Sequence, residues 1–291
     1  MSIDLDAARD FMAGHARVLD RRRFALLAGD TDDPAGALAA LDAYRNADGG
    51  YGFGLEPDLR APESQPGAAL HAFEVFEEAG AAGSARAREL CDWLATVTLD
   101  DDGLPFAIPM STTVATAPWW ASWDPSQSSL QTTAITAAMA VRVGRHDDGV
   151  ASHPWLARAS VYCAREIGAL EDEPHAYLVS FALKYVDAVG DDGLLERLSR
   201  FVPRSGELAV AGGTEDERLR PLDLSPAPDA PSRALLDGAA IEADLDRLAG
   251  LQRDDGGWTV DYARISEAGA LEWRGIATIN AVRILRDNGR A

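Results

Sequence analysis

Alternating, strand-like patterns are almost missing from this chain, and so are the features of several large functional classes. It holds two cysteines in 291 residues. Cys91 and Cys163 cannot staple a fold of this size, and neither stands in a CxxC or zinc-ligand spacing. Both fall in helical patterns and read as buried free thiols. No stretch approaches 18 consecutive apolar residues, so no membrane span is predicted. The first residues, MSIDLDAARD, open on acids and lack the basic-then-apolar order of a signal peptide, which gives a cytoplasmic expectation. Lysine is scarcest of all: Lys184 stands alone, and the other basic residues are arginines. Acids outnumber bases 47 to 27, for a net charge of −20. Neutralising phosphates takes clustered cations, so the charge excludes nucleic acid, and an anionic membrane surface with it.

What remains is a globular composition, 47% hydrophobic and 25% charged, long enough to bury a substantial core as one domain over 1–291. Three-to-four-residue spacing of apolar positions predicts helices over 4–28, 35–46, 64–79, 84–97, 126–143, 154–169, 174–190, 191–202, 233–251 and 272–288. The class is all-α. The Pro-rich stretch 214–232 reads as an extended crossing.

The turns between helices repeat. Asp48-Gly49-Gly50-Tyr51, Asp102-Gly103-Leu104, Ser205-Gly206-Glu207-Leu208 and Asp255-Gly256-Gly257-Trp258 each follow a helix, and Glu171–Pro174 is a glycine-free variant. Asp48 to Asp102 is 54 residues and Asp102 to Asp255 is 153, about three periods of a two-helix unit. One set of helices runs into these turns and carries charged stripes. The other follows them and is rich in small or hydroxylated residues, as in Leu130-Gln131-Thr132-Thr133-Ala134. Small residues suit crowding round an axis, so the pattern predicts two concentric helical layers, an α/α toroid.

Gln252-Arg253-Asp254-Asp255-Gly256-Gly257-Trp258 resembles the QW motif of the squalene–hopene cyclase and protein prenyltransferase repeat superfamily. Asn46 to Gly54 resembles a variant copy with Tyr51 in place of Trp. The resemblance implies an α/α toroid with a central isoprenoid cavity, in which Gln and Trp tie neighbouring helix ends together. It implies a small apolar or isoprenoid ligand, no cofactor, and an acid-initiated cyclisation or isomerisation.

In a toroid the loops entering the inner helices converge on one mouth, where helix N-termini point. Glu56, Asp58 and Arg60 form the densest charged cluster there and are the catalytic candidates, a carboxyl pair with an arginine to tune it. Trp119, Trp120, Trp123 and Asp124 on the next loop are substrate-binding candidates, with His175, Trp273 and Arg274 at later inner-helix starts. Ser64 and Ser126 read as helix N-caps. Asp30-Thr31-Asp32-Asp33 matches the DxDD proton-donor motif of the cyclases but precedes an outer helix, and Asp33-Pro34 reads as a helix start. No Asp–Cys–His set converges as the zinc branch of the superfamily requires, so the protein reads as metal-independent. A carbohydrate-active toroid and a non-catalytic prenyl- or peptide-binding scaffold are the competing readings, separated by the character of the central cavity. Oligomeric state has no sequence signature here.

Overall fold

The computed structural model describes residues 3–291. It is mostly helical, with a single two-stranded hairpin among the described residues. The first predicted helix is two: α1 (Leu5–His15) and α2 (Val18–Ala28) break at Ala16 and Arg17. Arg17 is extended (φ −56°, ψ 154°), and its guanidinium reaches the Leu55 carbonyl at 3.0 Å and Asp20 at 2.7 Å. A side-chain anchor, with neither Gly nor Pro at the break itself, marks the helix end. α3 (Ala35–Leu41) is also shorter than its pattern and closes in a 3-10 turn at Asp42–Tyr44.

α4 (Pro66–Ala79) follows the first long loop, then α5 (Ser84–Val97), the short α6 (Pro118–Ala121) and α7 (Leu130–Gly144). Neither predicted serine cap holds. Gln65 occupies the cap position of α4, while the Ser64 hydroxyl donates to Asp48 at 2.8 Å. α7 starts four residues later than expected, because the Ser129 hydroxyl, not Ser126, accepts the Thr132 N–H. Further on run α8 (Asp148–Ala151), α9 (Pro154–Ala169), α10 (Ala176–Val189) and α11 (Asp192–Ser199). The stretch read as an extended crossing is more structured than that. β1 (Leu208–Ala209) pairs antiparallel with β2 (Arg218–Leu219), and α12 (Pro221–Leu224) and a 3-10 turn at Pro231–Leu235 follow. α13 (Gly238–Gly250) and α14 (Glu267–Asp287) complete the chain.

The repeated turns share one hydrogen-bond plan. Asp48, Asp101 and Asp255 each accept, through Oδ1, the N–H two residues on, at 2.9, 3.1 and 3.1 Å. The residue between has positive φ: Gly49 at 89°, Asp102 at 72°, Gly256 at 87°. The second copy is therefore centred on Asp101, one residue before the Asp102 of the sequence reading. Ser205-Gly206 is a weaker copy, with Gly206 at φ 70° and the Glu207 N–H 3.5 Å from the Ser205 hydroxyl. Gly256 is required twice over, since a Cβ there would meet the Ala7 carbonyl at 2.0 Å. Beside it Gln252 bonds both backbone groups of Asp4, at 2.8 and 2.7 Å. Trp258 is 2% exposed and donates to the Leu248 carbonyl at 2.8 Å. Gln252 thus joins the end of α13 to the start of α1, while Trp258 ties the turn back onto α13.

One contiguous core runs from Ala8 to Leu285. α7 lies between α4 and α10, and its buried Thr133, Ala134, Ala137, Ala138 and Ala140 let all three backbones come close. α2 packs on α4 and on α14, and α10 packs on α12. α9 packs on α5 and on α11, and the three pack in turn on α7, α4 and α10. Cys91 and Cys163 are both buried and free, and burial pushes both thiols up. Among the described residues no helix is long and apolar enough to cross a membrane.

Candidate functional site

The loop from Gly52 to Gln65 turns back on itself before α4, and its polar residues face inward. Backbone bonds hold it: the Leu59 N–H donates to the Glu56 carbonyl at 3.0 Å, and the Ala117 N–H to the Asp58 carbonyl at 2.8 Å. Glu56 and Asp58 are consequently buried, at 6% and 3% exposure. The Trp273 indole N–H on α14 donates to Asp58 Oδ2 at 2.8 Å. α14 comes this close because its first turn carries Gly269, where a Cβ would stand 3.1 Å from the Pro57 carbonyl and 3.4 Å from Asp58 Oδ1.

Among the described residues no cation pairs with Asp58. Burial raises its pKa to about 6 against the Trp273 hydrogen bond, with Glu56 and Glu272 adding repulsion. Arg60, expected to tune one of the two loop acids, instead binds Glu272 at 2.6 Å. The reason is position: Glu272 is on the turn of α14 that also presents Trp273.

Glu56 points the other way, into the molecule. Its Oε2 lies 2.9 Å from His71 Nε2, while His71 Nδ1 lies 3.1 Å from Glu74 Oε2. With carboxylates at both nitrogens, the imidazolium donates twice. Burial alone would lower the His71 pKa, but Glu74 and Glu56 together raise it to about 9. Glu74 is also penalised by burial, yet His71 and Arg23 hold it at about 2. The chain of charges continues through Arg23, 2.7 Å from Glu78, to Arg283, which also binds Glu78. His71 and Glu74 escaped the sequence reading because they sit inside an ordinary helical pattern. Their i, i+3 spacing was the one available signal.

Asp58 opens onto a cleft of about 410 Å³ bordered by Thr259, Tyr262, Arg264, Glu267, Trp273 and Arg274, among others. The Tyr262 and Trp273 rings meet edge to face at 5.3 Å. Burial and the nearby Glu56 raise the Tyr262 pKa well above its usual value, so the phenol stays neutral. Tyr262 lies on a loop without motif or periodicity, which left it unread in the sequence.

Neither a family model nor a curated protein matches the chain.

The other candidates are scattered. Trp120 stacks on Phe106 at 4.2 Å and presses on Gly67 of α4, and Trp123 tilts against the same Phe106 at 5.2 Å. Trp119 is exposed. None of the three borders the Asp58 cleft, although their loop touches the Asp58–Arg60 backbone through Thr116 and Ala117. Asp124 closes its own turn by accepting from Ser126. His175 sits 3.0 Å from the Ala211 carbonyl and stacks on Tyr177. Arg274 borders the cleft but is tied to Asp255 at 2.7 Å and lies over the Phe11 ring at 4.4 Å. In the DxDD stretch, Asp30 binds Arg9 at 3.0 Å and Asp33 accepts the Ala35 N–H at 3.0 Å, both structural roles. Among the described residues no cluster of three His, Cys, Asp or Glu is arranged to hold a metal ion.

Proposed function

We propose that this chain is an α/α toroid whose Asp58 cleft is the active site of a general acid–base enzyme for a hydroxylated, ring-bearing substrate, a glycoside in the simplest case. The architecture is supported by the neighbour order of α2, α4, α7, α10 and α12, by α14 lying against α2, and by the repeated Asp turns. The observation that carries the chemistry is Asp58: buried, without a cation, oriented by the Trp273 N–H, and titrating at about 6. An acid poised near working pH holds its proton long enough to deliver it, yet releases it readily. Delivered to a leaving oxygen, that proton is the first step of glycosidic cleavage. Tyr262 and Trp273 would flank a sugar ring, and Arg264 and Glu267 offer hydrogen bonds to its hydroxyls.

The isoprenoid reading is second. Its support is the QW-like clasp of Gln252 and Trp258. Against it, protonating an alkene demands a strong acid, and burial makes Asp58 a weaker one. The interior beside the site is also filled by the Glu56–His71–Glu74–Arg23 chain rather than by apolar walls.

A panel of nitrophenyl glycosides and prenyl alcohols separates the two. Turnover of a glycoside, with an alkaline limb near pH 6 that disappears together with at least a hundredfold of rate in Asp58→Asn, is the expected result. Turnover of prenyl substrates alone replaces it with the second reading. Full activity in Asp58→Asn removes the site.

A further inference from the structure

A second cleft, of about 270 Å³, lies among the last turns of α2, α4 and α7 and the side of α14. Its polar wall is Arg23 of α2, Glu77 and Glu78 of α4, Arg142 of α7 and Arg283 of α14. Leu26 and Leu27 of α2 form its apolar wall. On α14 the Asp58 cleft borders Trp273, ten residues before Arg283. That is about 15 Å of helix at 1.5 Å per residue, so the two clefts are separate.

The guanidiniums of this wall are fixed in place but not used up. Arg23 gives Nε and Nη2 to Glu78 at 2.8 and 2.7 Å, and shares Nη2 with Glu74 at 3.2 Å. Arg142 binds Glu77 at 2.6 Å through Nε and Nη2, and Arg283 gives Nη2 to Glu78. Nη1 of Arg23, Nη1 of Arg142, and both Nε and Nη1 of Arg283 are left without a partner among the described residues. Against these donors, Glu77 Oε2 is the carboxylate oxygen of the wall left over. Donors therefore exceed acceptors. The Arg23 side chain is 1% exposed, and a buried guanidinium edge with no acceptor is costly. An anion in the cleft relieves that cost.

Charge and lining narrow the class of anion. Three guanidiniums face two carboxylates in the wall, which leaves one positive charge. The carbonyl ends of α2, α4 and α7 lie at the same end and disfavour a second negative charge. A single carboxylate fits both conditions and matches the guanidinium fork, whereas a phosphate dianion does not. Leu26 and Leu27 favour an apolar chain behind that carboxylate. We propose that this cleft binds a small monocarboxylate with a short apolar chain, held by Arg23, Arg142 and Arg283. The site is independent of the Asp58 reading.

The test is calorimetric titration of the intact protein, at fixed ionic strength, with hexanoate, acetate, hexanol and inorganic phosphate. Hexanoate is expected to saturate one site per chain. It should bind roughly tenfold or more tighter than acetate, whose chain is too short to reach the leucines, and tighter than hexanol or phosphate. Arg142→Gln, at the half-exposed edge of the cleft, should weaken hexanoate roughly tenfold or more with circular dichroism unchanged. Glu77→Gln removes the competing carboxylate and should tighten it about threefold, a gain that a misfolded chain cannot imitate. Absence of saturable hexanoate binding overturns the proposal, as does an affinity no better than that of hexanol or one untouched by Arg142→Gln. Weaker binding in Glu77→Gln also overturns it, and phosphate binding tighter than hexanoate overturns the assignment to a monocarboxylate.

Discussion

The two ends of the buried charge chain are built from similar residues and reach opposite states. At the Arg23 end, Glu74 and Glu78 meet Arg23 and Arg283, and both carboxyls are held below their usual range. At the Asp58 end, the one arginine in reach has been taken by Glu272, and the carboxyl is raised to about 6. The depth of burial does not divide them; the supply of cations does. A carboxyl surrounded by arginines is a strut. One left with an indole N–H is chemically available, and it lowers the stability of the fold at neutral pH.

The sharpest way to break the contrast is to remove the cation that makes the strut. Arg23→Met should lower unfolding free energy by about 3–5 kcal/mol, because it strands Glu74 and Glu78 beside a single remaining arginine. Urea denaturation at pH 7 checks it. The opposite sign is expected at the other end. Asp58→Asn keeps an acceptor for Trp273 and removes a raised carboxyl, and should stabilise by about 2–3 kcal/mol at pH 7. The sign follows from linkage. Between pH 3.8 and about 6 the unfolded chain loses this proton and the folded one keeps it, so stability falls over that window. The gain of the variant should therefore grow across the same window, stay constant above it and vanish below pH 3.8.

The midpoint of the chain gives a third, smaller effect. His71 is raised to about 9, so its contribution is complete below 6.5 and lost as pH climbs through 9. Glu74 is held at about 2, so its contribution is present above 4.5 and lost as pH falls through 2. Melting temperature against pH should carry both limbs, and His71→Gln should abolish the alkaline one. The smallest effect belongs to the control. Asp33→Asn, far from either end, should change stability by under about 0.5 kcal/mol, since Asn accepts the Ala35 N–H as well as Asp does.

The helices were legible in the sequence to the extent that periodicity governs them. α5 and α9 run over the very residues their spacing predicts. The break at Arg17 was not legible, because it depends on carbonyls at Gly54 and Leu55 that no local window contains. The candidate site divides the same way. Asp58 stood out as an acid in a dense charged cluster on the loop before α4. Its state depends on Trp273, on Glu272 diverting Arg60, and on Gly269 admitting α14, all distant in sequence. The tryptophans at 119, 120 and 123 stood out for density, and density does not distinguish a ring that plugs from a ring that binds.

The clasp between Gln252 and Asp4 spans 248 residues, and the bond from Trp273 to Asp58 spans 215. A chain emerging from the ribosome makes α1, α2 and the Asp58 loop first and must keep them waiting for their partners. Until α13 and α14 arrive, Phe11 and the α14-facing side of α2 have nothing to cover them. Such late closure makes for slow completion and a long exposure to aggregation. The cleft at Asp58 therefore has both of its walls only once the last helix of the chain, α14, has docked.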